Sequence, residues 1–255
     1  MKVKSIVALL GLSASLGVAA DPLQPNSPTP SVINPAPGGE GSLQSIADNL
    51  FGAGHINVDT DQSSAGQWKS ATPGSASTIP TLVAEFTANA STQVFGIWFG
   101  TDTNAILTYD LLTGGATVGD NAAISFSGNT LSVGTSVIAN CGVKVNCGSI
   151  TDARVSSDAF GFYFRPSANS QTFYSLDQLN IPNDRTDRVV AFQDGATTNW
   201  LFAYEDGDAA SGDFDYNDMA VKVESITAVP EPETYALMLA GLGAMGFVAR
   251  RRKSR

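Results

Sequence analysis

The chain has 255 residues, 24 acidic against 14 basic, one histidine and a formal net charge of −10. Half of the basic residues lie at the two ends, so the span from Asp21 to Glu224 holds 22 acids against seven bases, an excess of 15. Such a body repels phosphate backbones and argues against a nucleic-acid partner, while 15% charged residues and 25 glycines argue against a coiled coil or helical bundle.

The first elements are an address and a spacer. Lys2 and Lys4 precede an apolar run from Ile6 to Val18, then Ala19-Ala20 before Asp21. A basic start, a short apolar segment and small residues before a polar one predict a signal peptide over residues 1–20, cut between Ala20 and Asp21, with an uncleaved anchor as the alternative. Residues 21–41 contain Pro22, Pro25, Pro28, Pro30, Pro35 and Pro37 and end in Gly38-Gly39, which predicts an extended spacer. Ser42 is a candidate N-cap, and Leu43, Ile46, Ala47 and Leu50 recur at helical spacing, so one short helix is expected over 42–50, ending near Gly52.

From about Ile56 the hydrophobic period becomes two. Strands are expected at Ile79–Ala88, Gln93–Phe99, Ala105–Asp110, Ala122–Ser127, Thr130–Val137, Val143–Val145 and Ala159–Arg165. Further strands follow at Thr172–Leu176, Arg188–Gln193, Asn199–Tyr204 and Met219–Ile226. No long amphipathic helices alternate with them, so the expected fold of residues 42–228 is all-β, an antiparallel, jelly-roll-like β-sandwich. Phe95-Gly96-Ile97-Trp98-Phe99 and Phe160-Gly161-Phe162-Tyr163-Phe164 share one pattern, read either as a duplication or as two central strands under the same packing demand. Cys141 and Cys147, in turn-prone Asn-Cys-Gly contexts, are expected to pair in an exported protein, closing a small ring that contributes roughly 2 to 3 kcal/mol.

The one candidate for site chemistry is the segment 199–226. An aromatic strand ends in Glu205-Asp206, a loop with Gly207 and Gly212 follows, and Asp213-Phe214-Asp215-Tyr216-Asn217-Asp218 leads into a last strand. Alternation is expected to send Asp213, Asp215 and Asn217 to one side, and a hairpin to bring Glu205 and Asp206 near them. Carboxylates so gathered repel unless a hard cation neutralises them, and calcium takes six to eight oxygens in flexible geometry. The competing reading is a solvated turn whose aspartates cap backbone amides. Asp213, Asp215 and Asn217 match the first, third and fifth positions of an EF-hand loop, with Glu224 at the twelfth. Asp218 stands where that loop needs glycine, so an EF-hand is rejected. Paired carboxylates also serve glycan-processing enzymes, but no second catalytic cluster is readable, and the lone His55 supplies no Ser/His/Asp or Cys/His set. A carbohydrate-binding module using exposed Trp68, Trp98 or Trp200 is the alternative to a non-enzymatic exported protein.

The C-terminus has three parts. Val229-Pro230-Glu231-Pro232 comes first, then a stretch from Thr234 to Ala249 without a charge, then Arg250-Arg251-Arg252-Lys253. As a helix the stretch is about 24 Å long, short of the roughly 30 Å hydrocarbon core, with Tyr235 and the arginines able to cover part of the gap. The basic cluster should stay cytoplasmic, leaving residues 21–229 outside the inner membrane. This tail resembles the PEP-CTERM sorting signal of Gram-negative bacteria that make extracellular polysaccharide. The resemblance, over residues 229–255, implies a precursor held in the membrane by 234–249, processing near Pro230-Glu231-Pro232 by an exosortase, and delivery to the surface or matrix. The alternative is a plain membrane anchor.

The body, best over residues 155–226, resembles the bacterial domain of unknown function 4114. The matching residues are Glu205-Asp206, Gly212, Asp213, Asp215, Tyr216, Asn217 and Asp218, with Phe160-Gly161-Phe162-Tyr163 and the turn from Asn183 to Asp187. That resemblance implies an exported surface or matrix protein, with extracellular polysaccharide as a candidate partner and no assigned reaction.

Overall fold

The structure is a computed structural model. It describes residues 23, 26, 31–71, 78–84, 91–134, 144–167, 171–180, 188–207, 212–230, 240–242 and 244–245. The chain is mostly β, with antiparallel strands and few helices. Helix α1 (Leu43–Phe51) begins where the sequence places its cap. Ser42 accepts the Ser45 N–H at 3.2 Å, and Gly52, at φ 102°, ends the helix.

The strands are β1 (Trp68–Ser70), β2 (Ile79–Ala84), β3 (Val94–Phe99), β4 (Leu107–Leu112), β5 (Ile124–Ser127), β6 (Thr130–Val133) and β7 (Gly148–Thr151). After them come β8 (Gly161–Arg165), β9 (Phe173–Tyr174), β10 (Val189–Gln193), β11 (Trp200–Tyr204), β12 (Met219–Glu224) and β13 (Ile226–Ala228). A 3₁₀ turn, Asp177–Leu179, follows β9. One four-stranded sheet has the order β10-β11-β12-β2, another β4-β3-β8-β9; β5-β6-β7 form a third sheet and β1-β13 a two-stranded ribbon.

Period-two alternation sorts the side chains of the first sheet between two apolar layers. Val189, Ala191, Phe202, Tyr204, Val221 and Val223 enter the main core, while Val190, Phe192, Leu201, Ala203 and Ala220 face Leu43, Ile46 and Ala47 of α1. Burial on both faces is why β11 reads as the unbroken run WLFAY. The two four-stranded sheets meet through rings: Phe162 lies 4.8 Å from Phe202, and Tyr204 lies 5.2 Å from Phe164 and 5.9 Å from Phe95. Trp68 of the ribbon closes this layer at 4.7 Å from Phe202.

The twin Phe-Gly motifs are neighbours, paired antiparallel with Gly96 opposite Tyr163 and Gly161 opposite Trp98. A Cβ on Gly96 would stand 2.2 Å from the Tyr163 ring, and one on Gly161 2.2 Å from the Trp98 indole. Each glycine therefore houses the aromatic ring of the facing strand, a reciprocal demand that explains the shared pattern without requiring duplication.

Several expectations change. Trp68, Trp98 and Trp200 are buried, at 0%, 0% and 2% exposure, so they offer no exposed sugar platform. The expected strand Met219–Ile226 breaks at Ser225, whose φ of 63° ends β12 and redirects the chain into β13. Of the expected strand 143–145, Val145 makes only an isolated bridge with Leu112. The Pro-rich stretch is tied to the body over its described part: Ser31 and Gln62 exchange two hydrogen bonds at 2.8 and 2.9 Å, and Ile33 packs beneath α1's cluster. The signal peptide 1–20 with its Ala20–Asp21 cut, Cys141, the turn 183–187, the residues Glu231 and Pro232, and most of 234–249 lie outside the described residues. Cys147 packs against the main core, and no described cysteine is free. Among the described residues, no helix is long and apolar enough to cross a membrane.

Candidate metal centre

The β11–β12 hairpin builds the centre. Tyr204 pairs with Met219, which sets Glu205 and Asp218 at the two exits of the ladder. The loop between them is drawn together at its neck, because Gly207 and Gly212 touch: a Cβ on Gly207 would stand 2.3 Å from the Gly212 Cα. Any larger residue at 207 would force this neck apart.

The following residues do not form a strand. Phe214 and Tyr216 take positive φ values of 58° and 56°, separating Asp213, Asp215 and Asn217. Non-glycine residues adopt this backbone only when their surroundings hold them there. Here Tyr216 is 1% exposed within the α1-facing cluster, and Phe214 packs against that cluster with the Arg188 guanidinium 4.9 Å from its ring. The aromatics are thus anchored on the apolar side and the carboxylates turn to the other.

One oxygen each from Glu205, Asp213, Asp215 and Asp218 lies within 4.8 Å of the others. Two ligands at the calcium–oxygen distance of about 2.4 Å can be at most about 4.8 Å apart, so the set fits around one cation of that size. Glu205, Asp215 and Asp218 are buried, whereas Asp213 is exposed. Glu205 Oε1 accepts the Gly207 N–H at 2.9 Å, while Oε2 is buried without a hydrogen-bond partner. Asn217 holds Asp215 in place twice, through its N–H to Oδ1 at 3.1 Å and its Nδ2 to Oδ2 at 2.7 Å. The Asn217 Oδ1 is also buried without a partner.

Asp206 stands apart: its N–H donates to Asp218 Oδ2 at 2.8 Å, but its carboxylate is not one of the four. Glu224 is on β12 and pairs with Lys222 at 2.6 Å, consistent with rejection of an EF-hand. Arg188, 0% exposed beside the loop, is a residue the sequence reading did not single out. An arginine opening a strand gives no sequence signal of burial.

Burial pushes the Asp218 carboxyl up to about 8, with the negative charges of Asp206, Glu205 and Asp215 adding to it against the Asp206 N–H. Burial likewise raises Asp215 to about 6, opposed by the Asn217 N–H and reinforced by Asp213, Glu40 and Asp206. Glu205 is raised for the same first reason, burial, reinforced by Asp213 and Asp215 and opposed by the Gly207 and Phe214 N–H groups. The cluster resists full ionisation on its own, which is the electrostatic condition a bound divalent cation relieves.

The tail carries a sorting signal. Residues 228–253 match the PEP-CTERM protein-sorting motif. The motif marks an exosortase-sorted, exported protein of Gram-negative bacteria, made as a membrane-anchored precursor and bound for the surface or extracellular space. No curated protein and no solved structure matches the chain.

Proposed function

We propose that the delivered protein is a non-enzymatic component of the cell surface or extracellular matrix, a β-sandwich body whose acidic hairpin is stabilised by calcium. The exosortase would cut near Pro230-Glu231-Pro232, and extracellular polysaccharide is the surrounding partner this address implies. The resemblance of residues 155–226 to the domain of unknown function 4114 agrees with such a location. The lone histidine, His55, is at the surface, its side chain 62% exposed and 3.5 Å from Asp194.

The observation that carries the calcium reading is Glu205 Oε2. A buried, unpartnered carboxylate oxygen costs several kcal/mol of lost solvation unless something positive meets it, and three further carboxylate oxygens converge within reach of one ion. Asp213, Asp215, Asp218 and Glu205 would be the protein ligands, with the Asn217 oxygen and solvent able to complete the shell. The test is thermal melting during a calcium titration. A hundredfold excess over Kd should stabilise the fold by about 2.7 kcal/mol and raise the Tm several degrees. Asp215→Ala should abolish the rise. A Tm indifferent to calcium at tens of millimolar, well above the affinity range of extracellular modules, would overturn the reading.

A further inference from the structure

The residues just before α1 cross the acidic loop: Ser31 is held by Gln62, while the hydrogen bonds that Asn34 and Gly41 make outside the segment land on positions 213–217. Asn34 donates its N–H to the Phe214 carbonyl at 2.9 Å and its Nδ2 to the Asp213 carbonyl. Asn217 Nδ2 donates to the Gly41 carbonyl at 3.1 Å, the same amide group that holds Asp215. Beyond Gly41, Ser42 caps α1, whose Leu43, Ile46 and Ala47 share an apolar cluster with Tyr216. Strap and candidate ligands are therefore joined through single residues, with Asn217 touching both.

These ties require the loop shape in which Phe214 and Tyr216 hold positive φ. Docking the strap also brings the negative charge of Glu40 to bear on Asp215. A cation bound by Asp213 and Asp215 favours that same shape, because both ligands lie in the segment to which the strap bonds.

We propose that calcium works here as a latch: bound by Glu205, Asp213, Asp215 and Asp218, it fixes residues 213–217 in the form that accepts the strap of residues 31–42, and its loss releases the strap. The proposal rests on the calcium reading above. Extracellular modules bind calcium at roughly 10⁻⁴–10⁻³ M, so an affinity in that range closes the strap only after export.

Amide hydrogen exchange on the full-length chain, in excess calcium and in EGTA, tests this, with the Asn34 amide as the direct reporter. Calcium should slow exchange across 31–42 by about tenfold or more. Asn34→Ala, a change at an exposed residue, should keep the calcium-induced Tm rise but lose the slowing over 31–42. Asp215→Asn should lose both. A wild-type Tm rise with unchanged exchange over 31–42 overturns the latch and leaves the metal site standing. Absence of any calcium effect on Tm overturns both.

Discussion

Two polar groupings lie on opposite sides of the main core, and they balance charge differently. On the outer side of β3 and β8, Asp110 accepts from the Tyr163 hydroxyl and from Arg165 Nη2 at 3.2 Å. Nearby, Trp98 Nε1 donates to Ser175 Oγ at 3.3 Å, and that hydroxyl donates to the Gly66 carbonyl at 2.9 Å. The carboxylate there has an arginine from its own chain. At the open end of β11 and β12, four carboxylates converge and, among the described residues, no ion pair reaches any of them. The first grouping is complete in charge within the fold, although Arg165 Nε is left without a hydrogen-bond partner; the second has charge unmatched by any described residue. The same architecture thus holds a polar site neutralised from within and, on the calcium proposal, one neutralised by a ligand, distinguished by whether the countercharge is covalently part of the chain.

The largest effect should come from the complete side. Gly161→Ala places a methyl 2.2 Å from a Trp98 indole that is 0% exposed and hydrogen-bonded to Ser175, so neither ring nor strand can yield without losing contacts. Overpacking of this kind should cost roughly 2–3 kcal/mol in urea denaturation, and the loss should be the same in calcium and in EGTA. A calcium-dependent loss would mean that the two regions are not energetically separate.

The acidic side should instead respond to protons and calcium together. In EGTA, the folded-state values of Asp218 (about 8), Asp215 (about 6) and Glu205 (raised) exceed the ordinary carboxylate range near 4. The native state then binds more protons than the unfolded chain between pH 4 and 8. The stability that these protonated groups contribute is full below about pH 4 and is lost as the pH rises through the folded values. The Tm in EGTA should therefore fall from pH 5 to pH 8. Saturating calcium should flatten or reverse that slope, because the bound ion favours the ionised forms. Asp218→Asn, which keeps an oxygen for the Asp206 N–H, should raise the calcium-free Tm at pH 8 and remove the calcium response. A calcium-free Tm that rises across the same interval would reverse the sign and refute the buried-carboxylate account.

What the sequence made readable follows the same division. The helix cap at Ser42, the alternation of β3, β8 and β10, and the antiparallel class were all legible, because each depends on local period and turn chemistry. The approach of Glu205 to the acidic run was legible from the hairpin alone; the place of Asp218 beside it was not, since alternation sends that residue to the face opposite Asp213, Asp215 and Asn217. The route by which Asp213 and Asp215 converge was not. Strand alternation was expected, but left-handed turns at Phe214 and Tyr216 do it, and their stability comes from α1 and Arg188, distant in sequence. For the same reason only the carbohydrate-binding alternative placed the tryptophans at the surface: whether an aromatic in an alternating strand faces solvent or a second apolar layer depends on what covers the outer face. The tie between residues 31–41 and the acidic loop had no local signal, since asparagine amides binding carbonyls leave no periodic trace.

The smallest effect separates this centre from an EF-hand. Glu224 occupies the twelfth position counted from Asp213, where that motif requires a bidentate ligand whose loss would collapse affinity. Here it lies on β12 with its side chain 43% exposed, paired only to Lys222 at 2.6 Å. Exposed pairs of this type contribute at most about 1 kcal/mol once side-chain ordering and screening are counted. Glu224→Gln should thus leave calcium affinity unchanged by isothermal titration and lower stability by no more than that amount, an effect that 0.5 M salt should erase. A fall in calcium affinity of tenfold or more would place Glu224 among the ligands and require β12 to rearrange on binding. The hairpin would then be a loop that folds around its ion, not a frame that waits for one.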